Sequence, residues 1–211
     1  MGALSASFNR MQTGLAERQR LQGAFGTYVD PTLAARLLEQ ASIQLRSIQS
    51  RPHDKRMPDQ KPPRSFGDDR QILMSLLQYQ RESLVRKVSG VSTAAARQSP
   101  VASGTTLLWL IEHLAYAEHL WVMHRFAGGD KPTPIAPDQT IDSALASYRD
   151  SWAAVDAVIA ATGSLGTQSA IRDDRGHVTL RWTMAHLLEE TARHAGHADI
   201  LRELIDGATG R

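Results

Sequence analysis

Along four stretches of this 211-residue chain, apolar side chains recur at intervals of three and four, and no stretch alternates apolar with polar residues convincingly. That period belongs to amphipathic α-helices and limits the fold to helices packed on helices. The first stretch, roughly 68–89, sets Ile72, Leu73, Leu76, Leu77, Leu84, Val85 and Val88 on an inward stripe. A loop with Ser99-Pro100 and Ser103-Gly104 leads to a second helix at about 105–126, which stops before Gly128-Gly129. A Pro-rich crossover, DKPTPIAP, precedes a third helix that starts at Thr140 or Asp142 and ends at Gly163. Residues 164–178 form another loop turning at Asp173-Asp174-Arg175-Gly176, and a fourth helix runs from about 179 to 205, where Gly207 ends it. Four helices of this kind predict an all-α four-helix bundle over residues 66–211.

Upstream, Asp30 is a good N-cap and Pro31 suits a first helical turn, so residues 1–49 are expected to form a helical extension. Residues 50–65 contain four prolines and little to bury, which makes them the expected linker. Residues 1–65 hold 10 Lys+Arg and 5 Asp+Glu, a net +5 against +2 for the whole chain, so a basic extension precedes a mildly acidic domain.

The overall charge is too small to argue for nucleic acid or a membrane surface as partner. The chain has no cysteine, which excludes disulfides, thiolate-ligated metals and a cysteine nucleophile. Any thiol chemistry must use a thiol from a co-substrate. The same absence fits a reducing cytoplasm, and MGALSASFNRMQTG has no apolar run of signal-peptide length. No stretch approaches the roughly 20 apolar residues of a membrane-spanning helix.

The fourth helix, HVTLRWTMAHLLEETARHAGHADILRELIDG, carries His186, Glu190, His194 and His197 along one flank. Glu190 and His194 are four apart, so their side chains leave the helix about 40° apart and can converge on one point. On the second helix, His113 shares a flank with Leu110, Ala117 and Leu120, and could supply a third ligand. A buried carboxylate beside apolar neighbours is costly unless a cation pairs with it. The plainer account is a hydrogen-bonded core histidine and surface salt bridges among Glu189, Glu190 and Arg193, worth little each. Spacing alone leaves Glu190/His194, His186/Glu190 and His194/His197 as alternative pairs.

The segments GDDRQILMSLLQYQRESLVRKVSGVS, SGTTLLWLIEHLAYAEHLW and LRWTMAHLLEETARHAGHADILRELIDG resemble the DinB-like superfamily of metal-binding bundles. The resemblance is closest to the branch related to mycothiol-dependent maleylpyruvate isomerase. It implies a helix order 1-2-4-3 and a divalent metal held by His113, Glu190 and His194. Zinc is the expected ion, with nickel, iron or manganese as other ions that fit two imidazoles and a carboxylate. It also implies a small thiol co-substrate of the mycothiol type. Maleylpyruvate isomerisation itself is not expected, because enzymes of that kind add a C-terminal domain and this chain ends at Arg211.

His197 and Asp199 are candidates to orient a ligand or touch substrate, with pairing to Arg193 or Arg202 as the alternative; His186 is a further candidate neighbour of Glu190. His119 and His124 are expected on the surface, Arg181 in a salt bridge, and Trp109, Trp121, Trp152 and Trp182 in the core and pocket walls. RQRLQGAFGTYVDPTLAARLLEQ resembles the segment that precedes class III adenylate cyclase domains, without any cyclase catalytic residues following it. Two functions fit: a metal-dependent transferase or isomerase acting on a small molecule with a thiol, or a non-catalytic, dimeric regulatory bundle. A homodimer is compatible with either.

Overall fold

The computed structural model describes residues 60–64, 66–133 and 138–210; the expected N-terminal helices and most of the linker lie outside this range. Helix α1 is Asp69–Val88, opened by a capping box in which Asp68 accepts from the Gln71 amide and Gln71 from the Asp68 amide. A single turn, α2 at Thr93–Ala96, is capped by Ser92 within the expected loop before the second long helix. Helix α3 is Leu107–Glu118 and continues without a break into a π-helical segment, His119–Phe126. Helix α4 is Ile141–Ala161, begun by Thr140 with Ser143 in a second capping box. Helix α5, Leu180–Asp206, starts at the Thr179 cap and ends at Gly207, whose φ of 79° is the left-handed conformation that favours glycine there. No strand occurs among the described residues, only two isolated bridges in the loop before α5.

The four long helices form the expected bundle, with one adjustment of neighbours. Helix α5 packs most heavily on α1, and α3 with its π segment packs on both α4 and α5. First-on-fourth and second-on-third contacts therefore take the place of the first-on-second and fourth-on-third contacts of a 1-2-4-3 order. The long connections at 89–106 and 127–140 leave the chain free to make those crossings. Second-on-fourth adjacency, the one that His113 requires, is present. Small residues Ala192, Ala195 and Gly196 on α5 face Tyr79 and Ser83 of α1 across a shallow cavity.

Two apolar clusters fill the bundle. One, around Leu84, Leu110, Leu114, Tyr148 and Leu201, lies toward the α2 end; the other gathers Leu77, Val122, Ile159, Met184 and Leu187. A buried ionic group is also present. Arg81 donates to both oxygens of Glu118, from Nε at 2.9 Å and Nη2 at 2.5 Å, and through Nη1 to Asp156 at 2.9 Å. Tyr148 Oη donates to Glu118 Oε1 at 3.0 Å. Glu118 is the last residue of α3, so this group sits at the junction between α and π winding. At the start of the described chain, Tyr79 Oη donates to the Gln60 carbonyl at 2.6 Å, which ties that stretch to α1.

A candidate metal centre on one seam of the bundle

Helices α3 and α5 run antiparallel, and the side chains along their seam meet in order. Trp109 stands beside His194, His113 beside Glu190, and Trp121 beside His186 and Trp182. The seam follows from spacing: Trp109 and His113 are one α-turn apart, as are Trp182, His186, Glu190 and His194 in succession. The wider π turn then brings Trp121 onto the same side.

At the middle of the seam three ligand atoms, one each from His113, Glu190 and His194, all lie within 4.8 Å of one another. Glu190 Oε1 is 3.6 Å from His113 Nε2 and 3.9 Å from His194 Nε2. Two ligands each about 2.1 Å from a zinc ion sit about 3.4 Å apart, so a small contraction of rotamers suffices. His113 Nε2 is buried and makes no hydrogen bond, an arrangement that costs free energy unless something occupies its lone pair. The other oxygen of Glu190 accepts from Arg193 Nη1 at 3.2 Å, leaving Oε1 turned to the two imidazoles.

Burial first, and then the neighbouring His113, hold His194 below the usual imidazole value, against the opposing pull of Glu190. A neutral imidazole is the form that ligates. Its Nδ1 lies 3.3 Å from His197 Nδ1. The Trp109 ring stacks on His113 at 4.7 Å and 12° and meets His194 edge-on at 5.9 Å, covering the pair from one side. Glu190 and His113 retain partial solvent access at 19% and 29% side-chain exposure, so the cluster opens outward between the helices.

Of the remaining site candidates, His197 and His186 lie along the same seam and Asp199 does not. His197 adjoins the cluster through His194. His186 sits a turn away, stacked on Trp182 at 4.9 Å and edge-on to Trp121 at 4.7 Å. Asp199 points elsewhere: it is about half a turn round α5 from Glu190 and pairs with Lys87 of α1 rather than with Arg193 or Arg202. The Glu189, Glu190 and Arg193 salt bridges do form, and coexist with the cluster because Glu190 uses separate oxygens.

His119 and His124 engage the carbonyls of Asp130 and Gly129, closing the end of the π segment, and Arg181 pairs with Asp69 at 2.5 Å. Trp109 and Trp182, roughly half exposed, form seam walls rather than core. The stacking of Trp109 on His113 went unread in the sequence, although four-residue spacing on one helix is the signal that would have found it.

An antiparallel helix pair that gathers two imidazoles and a carboxylate around one outward-opening point defines a helical bundle with a candidate mononuclear cation centre. The chain belongs to the mycothiol-S-transferase family, whose sequence pattern matches residues 72–207 and so includes His113, Glu190 and His194. Among solved structures, a conserved protein of locus from Enterococcus faecalis is similar at 17% identity with a TM-score of 0.48, over 67% of this chain and 99% of that one. Comparison with curated protein sequences finds no match. No helix among the described residues is long and apolar enough to cross a membrane.

Proposed function

We propose that this protein holds one divalent cation on His113, Glu190 and His194 and transfers a low-molecular-weight thiol of the mycothiol type to an electrophile, in the cytoplasm. The observation that carries the reading is the convergence of the three ligand atoms with His113 Nε2 buried and unsatisfied. Zinc suits this donor set best, and nickel, iron or manganese suit it next. A cation with three protein ligands keeps a position open, where it would lower the pKa of a coordinated thiol into the neutral range.

The protein's own residues account for the rest. Arg193 orients Glu190 by holding its second oxygen. When Nε2 of His194 serves as ligand, Nδ1 carries the hydrogen and donates to His197, which fixes the ring plane. Trp109 locks His113 by stacking and excludes water from one side of the cluster. Family membership supports the thiol, and the lack of any cysteine in the chain agrees with a thiol supplied from outside.

Elemental analysis of the full chain, beside His113→Ala and Glu190→Ala, tests the reading. The expected result is about one divalent ion per chain in the parent, lost in both variants while circular dichroism stays unchanged, together with metal-dependent consumption of mycothiol. Folded protein that takes up no zinc, nickel or manganese refutes it.

A further inference from the structure

At the Trp121 end of the seam a cavity of about 370 Å³ opens. Trp121 and Trp182 line it together with Asp173, Asp174, Arg175 and His177 from the loop before α5. None of these is a ligand of the candidate centre. Trp182 lies eight residues before Glu190 on α5, about 12 Å along the axis.

The lining is held in place by contacts outside the cavity. The Trp182 indole stacks on His186 at 4.9 Å and 18°, is tilted against Trp121 at 5.2 Å, and remains 44% exposed. Asp173 is committed to the loop itself. Its Oδ1 accepts from the Arg175 and Gly176 amides at 2.9 and 3.1 Å, and its Oδ2 from Arg125 at 3.3 Å. His177 Nδ1 donates to the Ser169 carbonyl at 2.6 Å, so Nε2 of the neutral ring is an acceptor. Asp174 and Arg175 line the cavity with no hydrogen bond or ion pair to their side chains among the described residues.

We infer that this cavity is a binding site for a neutral, polyhydroxylated six-membered ring, a sugar or a cyclitol. The carbon–hydrogen face of such a ring leaves water against the exposed indole, whose negative face attracts those hydrogens. Each hydroxyl both donates and accepts, and the cavity answers both: Asp174 and His177 Nε2 accept, and the Arg175 guanidinium donates. Charge points the same way. Asp173 and Asp174 balance Arg125 and Arg175, so a charged ligand finds no net field to replace its hydration. The cation proposed at the centre does not change this. Less the Glu190 carboxylate it leaves one net charge about 12 Å away, beyond the screening length of about 8 Å. An apolar ring would desolvate Asp174 and Arg175 without pairing them. Size agrees: a cavity of about 150 Å³ holds one benzene, so this one takes a hydroxylated ring with a linked group. The ring has two possible sources, a free saccharide or a sugar carried by the thiol, and the site itself does not rest on thiol transfer.

The test follows the indole N–H signals of the four tryptophans by NMR in the full chain. Methyl glucoside should shift the Trp121 and Trp182 signals saturably. Cyclohexanol and methyl glucuronide, which lack the hydroxyls or add a carboxylate, should bind at least about tenfold more weakly. Trp182 is half exposed in the first turn of α5, so Trp182→Ala keeps the fold and should cost at least about tenfold in glucoside affinity, read at Trp121. Asp174→Ala should weaken binding in the same way, and Trp182→Phe should largely keep it. No saturable shift, equal binding of either control compound, or unchanged affinity in Trp182→Ala or Asp174→Ala overturns the inference. Mycothiol separates the sources. Shifts at Trp182 that methyl glucoside competes away assign the ring to the thiol, and unmoved signals assign it to a free saccharide. His113→Ala removes the candidate centre and should keep glucoside affinity, so the two readings fail separately.

Discussion

Replacing Glu118 by leucine should be among the most destabilising single changes in the bundle. Glu118 is fully buried and accepts from Arg81 twice and from Tyr148 once. Without it the Arg81 guanidinium, itself 1% exposed, keeps only the partly exposed Asp156 as a charged partner. Removing one member of a buried pair costs about 3–5 kcal/mol, against a total stability of roughly 5–15 kcal/mol for a domain. Arg81→Met should cost a similar amount by orphaning the carboxylate.

The triple variant Arg81→Met, Glu118→Leu, Tyr148→Phe strands neither the guanidinium nor the carboxylate nor the phenol. It should return to within about 1 kcal/mol of the parent, or exceed it. Burial is the largest influence on Glu118 and pushes its carboxyl up despite the pull of Arg81, which is why the ionic group should not outperform an apolar replacement. Urea unfolding followed by circular dichroism reads all of these differences. A triple variant no more stable than the single ones, or single variants that cost under about 1 kcal/mol, would refute the reasoning.

Other outcomes follow from individual residues. Gly196 lies mid-helix with open space where a Cβ would go, so Gly196→Ala should raise stability by about 0.5–1 kcal/mol in the same urea assay. Gly207→Ala should lower it by about 1–2 kcal/mol, because φ there is 79°. The backbone amides of Arg175 and then Gly176, with Arg125 nearby, hold the Asp173 carboxyl below its usual 3.8. Its contribution is therefore complete above that value and lost as pH falls through the lowered pKa. NMR titration should show the depressed midpoint, and Asp173→Asn should flatten the acid limb of the stability profile. Trp109→Ala should weaken cation affinity about tenfold while Trp109→Phe keeps it, as read by competition with a chromogenic chelator.

Helix ends were the most legible part of the chain, since Thr140 and Gly207 are local signals and act locally. Spacing left Glu190 and His194 as one of three alternative pairs on the fourth helix, and only the resemblance singled them out together with His113. Contacts between distant positions were not legible. Nothing in the spacing ties Arg81 to Glu118, 37 positions away, or Lys87 to Asp199. The 1-2-4-3 order failed where connections are long enough to permit more than one crossing. The π segment was illegible because HLWVMHRF suits an α-helix equally well; its winding is settled by what packs around it.

That segment has a consequence for how the seam can change by insertion and deletion. A π turn holds one residue more than an α turn for the same closure of the backbone. Deleting a single residue between His119 and Trp121 would let the stretch rewind as α-helix, with His113 untouched upstream. Because the closure is the same, side chains beyond the deletion would keep their faces, and Trp121, with Arg125 stacked on it at 4.5 Å, would stay on the side it shares with Trp182. One codon can thus be lost from this segment while the wall at the Trp121 end and the three ligands stay where they are.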